Sequence, residues 1–397
     1  MRQKYIPLNS LLIKPAGPDC NLDCEYCFYL EKDALFPETK THRMSDQTLE
    51  VMIRNALEQS RGHISFAWQG GEPTLMGLPF FQNALQLQQK YSQGHHIENT
   101  FQTNGTLIDK EWATFLHEND FLLGLSLDGP AHIHDHYRVD KSGNPSFEKV
   151  RDAADLLLDH QVDVNALVVV NDYSVKYPEE IYKFHKDIGL DHMQFIPCVE
   201  HGNIHSTLAP YTVSAKEYGE FLCHIFDLWV QDIDDLVAKT SIRFFDSVFR
   251  KYVGHHPADC TLLANCGVYL TVEHDGSVYS CDFYVNPENL LGNIHDAKLV
   301  DMLNGEQQIG FGSAKSTLPQ ECQSCEWLGL CRGGCPKDRI LEGDESGLHY
   351  LCESFKIFFA YADATFKSLA GAWQNQQAEL ANLNSILVRN ELGETKV

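Results

Sequence analysis

The chain has 397 residues, 43% of them hydrophobic, so it can bury a large core, and its length favours two domains with a tail. Its 55 acidic and 31 basic residues give a formal net charge of −24. This charge argues against nucleic-acid binding, because phosphate contacts need clustered lysine and arginine. No run approaches the roughly 20 apolar residues of a membrane-spanning helix, and no apolar signal region opens the chain. We therefore expect a cytoplasmic protein without nucleic-acid or membrane partners.

The first half of the chain alternates strand-like apolar runs with helical patterns. Strands are predicted at 11–14, 64–69, 99–102, 122–127, 164–170 and 193–196. Helices are predicted at 45–59, 79–91, 110–118, 147–160 and 177–188, with Ser45 as an N-cap and Pro178 near a helix start. Repeated strand–helix units predict an α/β fold with parallel strands. Polar turns at 70–74, 103–106 and 128–130 follow three of the strands, at the edge where such folds collect their chemistry.

The second half is different in character. A linker is predicted at 201–210 and a long helix at about 214–237, and eight cysteines then fall between positions 260 and 352. The chain has 13 cysteines in all. Without a secretory signal, metal or cluster ligation is a better explanation for them than disulfides, because the cytosol keeps thiols reduced.

Three cysteines follow the first predicted strand in a C-x3-C-x2-C run, namely Cys20, Cys24 and Cys27. Three thiolates on one loop can ligate three irons of a cubane cluster and leave the fourth open to a substrate or cofactor. Zinc is the alternative, but no nearby histidine completes a tetrahedral site. The spacing therefore favours a 4Fe–4S cluster.

This run, with Tyr26 before its last cysteine, resembles the signature of the radical S-adenosylmethionine (SAM) superfamily. The sequence Gly-Gly-Glu-Pro at 70–73 resembles that family's GGEP motif, which contacts the methionyl amino group of SAM. The resemblance implies a partial (β/α)6 barrel whose cluster cleaves SAM to a hydrogen-abstracting 5′-deoxyadenosyl radical. It also implies SAM contacts at Tyr26, Gly71, Ser126, Arg138 and Val199. Ordinary packing is the alternative for Ser126 and Val199, and a surface ion pair for Arg138.

The eight later cysteines match the ligand number of two fully coordinated 4Fe–4S clusters. Their order resembles the SPASM extension of radical SAM enzymes that modify peptides and proteins. The resemblance implies one auxiliary cluster on Cys260, Cys266, Cys281 and Cys335, and another on Cys322, Cys325, Cys331 and Cys352. Together with the first loop this makes three 4Fe–4S clusters, with SAM as the further cofactor. Two four-thiolate zinc sites are the alternative.

Two cysteines remain, Cys198 and Cys223, and their apolar contexts predict buried structural thiols. With the resemblances, the domain boundaries are predicted as a radical SAM partial barrel at 1–205 and a helical linker at 206–255. A SPASM auxiliary-cluster domain follows at 256–365, then a C-terminal helix and tail at 366–397.

Asp282 directly follows Cys281 in the sequence Cys-Asp-Phe-Tyr-Val. An isolated aspartate is commonly a turn residue, but beside a cluster ligand it could serve as a base. The segment resembles the anaerobic sulfatase-maturating enzymes, in which this aspartate is the proton acceptor, and the resemblance extends through Cys352. Tyr29 and Gln69 are further candidates, for orienting the peptide.

The family resemblance implies oxidation of a Cys or Ser in a Cys/Ser-x-Pro-x-Arg motif to Cα-formylglycine. The substrate would be an unfolded or nascent sulfatase polypeptide, and the reductant a ferredoxin or flavodoxin. The alternative is another SPASM enzyme, one that forms thioether or carbon–carbon crosslinks in a ribosomal peptide. Such enzymes often carry an N-terminal peptide-recognition domain, and only about ten residues precede the first predicted strand here. A third hypothesis, a non-enzymatic cluster or zinc protein, is disfavoured because it gives the GGEP motif no function.

Overall fold

The computed structural model of the chain describes residues 5–200, 208–339 and 347–393. Most of the predicted linker at 201–210 therefore lies outside the described residues, as does the end of the tail at 394–397. Within the described ranges, no helix has both the length and the apolar character needed to cross a bilayer.

The N-terminal half confirms the predicted alternation of strands and helices. Its elements are β1 (Ser10–Lys14), α1 (Asp46–Gln59), β2 (His63–Trp68), α2 (Leu78–Tyr91), β3 (His96–Thr103), α3 (Lys110–Glu118), β4 (Leu122–Ser126), α4 (Ala131–His134), α5 (Phe147–Asp159), β5 (Asp163–Val170), α6 (Pro178–Asp187) and β6 (His192–Pro197). The Ser45 side chain caps α1 by accepting a hydrogen bond from the Thr48 amide at 3.1 Å, and Pro178 is the first residue of α6.

Strands β1 to β6 lie side by side in chain order, and every neighbouring pair is parallel. The predicted α/β fold with a partial barrel is confirmed by this arrangement. Residues such as Leu11 and Ile13 on β1 and Phe66 on β2 are fully buried in the core. Because the strands are parallel, their carboxyl ends meet at one edge, and the three polar turns share that edge.

The second half is built from short strands and helices. Its elements are α7 (Ala215–Gln231), β7 (Ile233–Asp234), β8 (Val237–Ala238), β9 (Ser241–Ile242), α8 (Arg243–Tyr252), β10 (Leu270–Glu273), β11 (Ser277–Tyr279), β12 (Leu290–Asn293), α9 (Leu299–Leu303), α10 (Glu306–Ala314), α11 (Gln320–Gln323), α12 (Leu328–Cys331) and α13 (Cys352–Gly393). The helix predicted at 214–237 ends earlier, at Gln231. There the chain enters the β7–β8 hairpin, whose turn residues Asp235 and Leu236 have φ of 47° and 66°.

The sheet continues from the N-terminal half into the cysteine-rich half. Strand β10 pairs in parallel with β1, in the register Leu11↔Leu270 and Lys14↔Glu273, and β11 and β12 extend the sheet in antiparallel pairs. At the other edge β9 pairs with β6. These strands have two to four residues, too short for a periodic pattern to predict them. One ten-stranded sheet thus supports both halves, while the domain boundaries stay a prediction.

Helix α13 begins at Cys352, the last cysteine of the chain, and packs along α7. The two helices approach closely at Gly219, where a β-carbon would stand 2.9 Å from the Ser354 Cα. Phe226 of α7 contacts Phe358 and Phe366 of α13, with ring centroids 5.7 and 4.9 Å apart. This packing anchors Cys352 on the body of the protein.

Candidate active site

The three cysteines of the first loop lie directly beyond the carboxyl end of β1. The Leu22 amide donates to Cys20 Sγ at 3.4 Å, and Asn104 Nδ2, from the turn after β3, lies 3.6 Å from the same sulfur. Burial raises the pKa of Cys20 to about 12 and that of Cys24 to about 11. Metal binding at these thiols would therefore have to displace their protons, because the thiolate is the form that ligates a metal.

The turn after β2 packs against the backbone that leads into the cysteine loop. The Gly71 amide donates to the Gly17 carbonyl at 2.8 Å, and the Glu72 amide donates to the Asp19 carbonyl at 2.7 Å. A β-carbon at Gly71 would overlap the Asp19 carbonyl oxygen, so only glycine allows this approach. The turn that carries the GGEP motif thus joins the second strand to the first cysteine loop.

The carboxylate of Glu72 is fully buried and holds neighbouring turns together. Its Oε1 accepts hydrogen bonds from the Thr74 amide, the Thr74 hydroxyl and the Thr103 hydroxyl, and its Oε2 accepts one from the Asn104 amide at 2.8 Å. Burial raises the pKa of Glu72, although these bonds favour the charged form. Asn104 connects this cluster back to Cys20, so the ends of β1, β2 and β3 form one polar network.

Asp128, at the end of β4, forms a buried ion pair that no motif of the sequence had indicated. Arg138 Nε donates to Asp128 Oδ2 at 2.8 Å, and the Tyr26 hydroxyl donates to the same oxygen at 2.6 Å. The Val169 amide donates to Asp128 Oδ1 at 2.8 Å. Burial alone would raise the pKa of Asp128, but the charge and hydrogen bonds of Arg138 lower it overall. The only signal in the sequence was the position of Asp128 in a polar turn after a strand.

Tyr26 and Arg138, two of the predicted SAM contacts, therefore meet at Asp128, and the Arg138 guanidinium lies 5.4 Å from the Tyr26 ring centroid. Ser126 is buried at the end of β4, and Val199 is buried just beyond β6. The carbonyl of Val199 accepts a hydrogen bond from Lys337 Nζ at 2.8 Å. Ser126 thus lies at the end of a strand, and the other predicted contacts lie in the loops that follow the strands.

Asp282 lies in a short turn after β11, beside Cys281. The Tyr269 hydroxyl donates to Asp282 Oδ1 at 3.0 Å and lies 3.3 Å from Cys281 Sγ. The next residue, Phe283, packs against Phe28 of the first cysteine loop, with ring centroids 4.8 Å apart. The predicted base is therefore close to the loop that carries Cys20, Cys24 and Cys27.

A buried lysine, Lys14, lies between these two regions, and no sequence pattern had marked it either. Its side chain is 2% exposed at the end of β1, with Nζ 3.6 Å from the Tyr29 ring centroid. Burial lowers the pKa of Lys14, and the nearby charges of Asp282 and Glu273 oppose that effect. The Tyr29 hydroxyl donates to Glu273 Oε1. Gln69, the other candidate for orienting a peptide, is half-buried at the end of β2.

The later cysteines occupy two separate places. Four of them line one small cavity of ≈ 20 Å³ together with Trp327 and Phe355, namely Cys322, Cys325, Cys331 and Cys352. The other four are linked through electrostatic interactions, with Lys315 close to Cys260, Cys266 and Cys335, and with Cys281 close to Cys335. The structure therefore brings together the same two sets of four that the family resemblance implies.

The spacing of the thiols bears on the choice between cubane clusters and zinc. Zn–S bonds of about 2.3 Å hold the sulfurs of a tetrahedral site only about 3.8 Å apart. In the part of the chain that the structure describes, no three cysteine sulfurs lie within 4.8 Å of one another. The described cysteine sulfurs are therefore not arranged as in a tetrahedral zinc site. Of the two remaining cysteines, Cys198 is buried against Cys24 and Tyr26, and Cys223 is half-buried.

Comparison with known proteins agrees with this geometry. The Radical SAM superfamily matches residues 15–185, and SPASM, an iron–sulfur cluster-binding domain, matches residues 265–326. The chain is 41% identical over 386 residues to a serine-type anaerobic sulfatase-maturating enzyme of Bacteroides thetaiotaomicron, covering 93% of this chain and 92% of that protein. It is 40% identical to a cysteine-type enzyme of Clostridium perfringens, covering 90% and 97%.

Solved structures give the same result. The chain matches native anSMEcpe with bound AdoMet and a Cp18Cys peptide with a TM-score of 0.86 and 39% identity, covering 92% of this chain and 99% of that one. Streptococcus suis SuiB with S-adenosylmethionine has a TM-score of 0.59 at 16% identity, covering 87% and 74%, a likeness of fold alone. The chain belongs to the anaerobic sulfatase-maturating enzymes of the radical SAM superfamily.

Proposed function

We propose that this enzyme oxidises a cysteine or serine side chain in a sulfatase polypeptide to Cα-formylglycine. The observation that carries the proposal is the position of Asp282. Its neighbour Phe283 packs on Phe28 of the first cysteine loop, so the proposed base lies near the loop that would carry the SAM-cleaving cluster. The close relatives with this activity support the same assignment.

Eleven cysteines would hold the three iron–sulfur clusters in this proposal. Cys20, Cys24 and Cys27 take the first cluster and leave one iron open for SAM. Each of the two later sets of four completes the coordination of one auxiliary cluster. The SAM site lies along the carboxyl edge, at Tyr26, Gly71, Ser126, Arg138 and Val199. Arg138 is oriented by Asp128, which also holds the Tyr26 hydroxyl.

When bound, a cluster on Cys20, Cys24 and Cys27 together with SAM would supply a 5′-deoxyadenosyl radical to abstract one hydrogen atom from the target Cβ. Asp282 would accept the proton of the target thiol or hydroxyl. An auxiliary cluster on one of the two later sets of four cysteines would supply an acceptor for the remaining electron. Loss of one hydrogen atom, one proton and one electron gives the aldehyde from serine or the thioaldehyde from cysteine. Water then converts the thioaldehyde to the aldehyde with release of hydrogen sulfide. Tyr269 fixes Asp282 Oδ1 at 3.0 Å and so holds the base in place.

The substrate and electron partners follow from the same chemistry. An unfolded or nascent sulfatase segment with the motif Cys/Ser-x-Pro-x-Arg is the expected substrate, and a ferredoxin or flavodoxin in the cytoplasm is the expected reductant. The net charge of −24 agrees with a motif that contains arginine. The alternative of peptide crosslinking is not favoured, because the relatives that are 40–41% identical to the chain are sulfatase-maturating enzymes.

Anaerobic assay of the reconstituted enzyme tests the proposal directly. The protein is incubated with SAM, dithionite and matched peptides that differ only in Cys or Ser at the target position. Mass spectrometry should find loss of two hydrogens from the Ser peptide, or the same aldehyde from the Cys peptide. A peptide with Ala at that position is the control and should stay unchanged. 5′-Deoxyadenosine without any aldehyde on either peptide would contradict the proposal.

A further inference from the structure

The parallel pairing of β1 with β10 places Lys14 opposite Glu273 at the carboxyl edge of the sheet. Glu273 is fully buried, and nothing in the reaction described above uses it. A buried carboxylate is costly unless its oxygens are hydrogen-bonded. In the described part of the chain, Oε1 accepts the Tyr29 hydroxyl, whereas Oε2 has no hydrogen-bond partner and lies 3.6 Å from His274 Nδ1. A buried oxygen of this kind calls for an explanation.

The partners of Glu273 come from the other half of the chain. Glu273 lies on β10, in the cysteine-rich half, whereas Tyr29 follows the first cysteine loop and Lys14 ends β1. Lys14 Nζ lies over the Tyr29 ring, 3.6 Å from its centroid, which adds a cation–π contact to the same cluster. Lys14, Tyr29 and Glu273 thus form a buried polar triad that joins the two halves.

From this triad, ring contacts lead to the base. The Tyr29 ring packs edge-on against Phe28, with centroids 5.8 Å apart, and Phe28 packs on Phe283 at 4.8 Å. Phe283 directly follows Asp282 in the chain. Without its hydrogen bond to Glu273, the Tyr29 ring is no longer held in place against Phe28. The contact between Phe28 and Phe283 then no longer fixes the distance between Asp282 and the first cysteine loop. Displacements of about 1 Å at a reacting centre can cost about 100-fold in rate.

We propose that Glu273 is a positioning residue that, through its hydrogen bond to Tyr29, sets the distance between the base Asp282 and the site of hydrogen abstraction. Loss of this bond uncouples the reaction. SAM is still cleaved, because the first cysteine loop and the polar network at the ends of β1, β2 and β3 are intact. The target side chain, however, is less often converted to aldehyde. The inference rests on the proposed function of Asp282 and adds a residue that acts through Tyr29.

The test uses the reconstituted holoenzyme and four variants: Tyr29→Phe, Glu273→Leu, the double variant, and Glu273→Gln. Tyr29→Phe removes only a hydroxyl, and Glu273→Gln keeps an oxygen that accepts the Tyr29 hydrogen bond. Two quantities are measured for each variant, the aldehyde formed and the 5′-deoxyadenosine formed. Glu288→Leu, at an exposed glutamate in the same half of the chain, is the matched control.

We expect Tyr29→Phe and Glu273→Leu each to lower the ratio of aldehyde to 5′-deoxyadenosine by about 10- to 100-fold, with unchanged iron content. The double variant should be no worse than either single variant, because both remove one interaction. Glu273→Gln should restore most of the ratio, and Glu288→Leu should keep the wild-type value.

A wild-type ratio in Tyr29→Phe, or additive losses in the double variant, would overturn the proposal. So would a Glu273→Gln variant as uncoupled as Glu273→Leu. If Glu273→Leu fails to fold, Tyr29→Phe and Glu273→Gln still decide the question. Absence of aldehyde from the wild-type enzyme would instead count against the proposed function, so the two failures are distinguishable.

Discussion

Phe28 and Phe283 pack against each other with ring centroids 4.8 Å apart, although 255 positions separate them in the chain (283 − 28). Phe28 directly follows Cys27, the last cysteine of the first loop, and Phe283 directly follows Asp282. This single contact therefore brings the proposed radical-generating loop and the proposed base to the same place.

Replacement of the base should reduce aldehyde formation while leaving SAM cleavage nearly unchanged. Asp282→Asn removes the proton acceptor but keeps an oxygen for the Tyr269 hydrogen bond, so SAM cleavage should stay within about twofold. Aldehyde formation should fall by at least about 100-fold, a typical loss for a general base. Both products are quantified in one anaerobic assay. Asp275→Asn, at an exposed turn residue of the same hairpin, should behave as wild type, and full aldehyde yield from Asp282→Asn would remove the assigned role.

The close approach at Gly71 should make that position intolerant of any side chain. Gly71→Ala would push a methyl group against the Asp19 carbonyl, and such overpacking typically costs about 1–3 kcal/mol. We expect a lower urea midpoint and less bound SAM, measured anaerobically on the reconstituted enzyme.

Gly371 gives a matched comparison for Gly71. It lies in α13, and no atom stands within 4 Å of the place that an added methyl group would occupy. Gly371→Ala should therefore raise stability by about 0.5–1 kcal/mol through helix propensity. Equal stabilities of Gly71→Ala and wild type, with full SAM binding, would argue against a tight turn at position 71.

The buried pair of Asp128 and Arg138 should be intolerant of the loss of one charge. Arg138→Met leaves the Asp128 carboxylate buried without its main partner, and such changes commonly cost about 3–5 kcal/mol. We expect a lower unfolding midpoint and weaker SAM binding. Asp128→Asn combined with Arg138→Met removes both charges and should recover part of the stability. A double variant as unstable as the sum of the two single variants would show that the residues act separately.

Iron content should reveal how the later cysteines are grouped. Cys322→Ala with Cys352→Ala removes two thiols from one cavity, so about four irons per chain should be lost. Cys322→Ala with Cys260→Ala takes one thiol from each set, and about eight irons should be lost. Iron and acid-labile sulfide are measured on anaerobically reconstituted protein. Equal losses from both double variants would contradict the grouping.

Several features could be read from the sequence because they depend on local patterns. The alternation of apolar runs predicted β1 to β6 and the helices between them except the short α4, and the helix starts at Ser45 and Pro178 were confirmed. The spacing of Cys20, Cys24 and Cys27 indicated a cluster with an open iron, because ligands on one loop are close whatever the rest of the chain does.

The tertiary structure alone decided which distant residues meet. The pairing of β1 with β10 brings Lys14 beside Glu273, and neither residue stood out in the sequence because charged residues at strand ends are ordinary. The role of Asp128 became evident only from the tertiary structure, in which Arg138 and Tyr26 both donate hydrogen bonds to its carboxylate. Strand periodicity and cysteine spacing are short-range properties that a sequence displays directly. Contacts across hundreds of residues depend on the register of the sheet, which is set by the packing of the whole core.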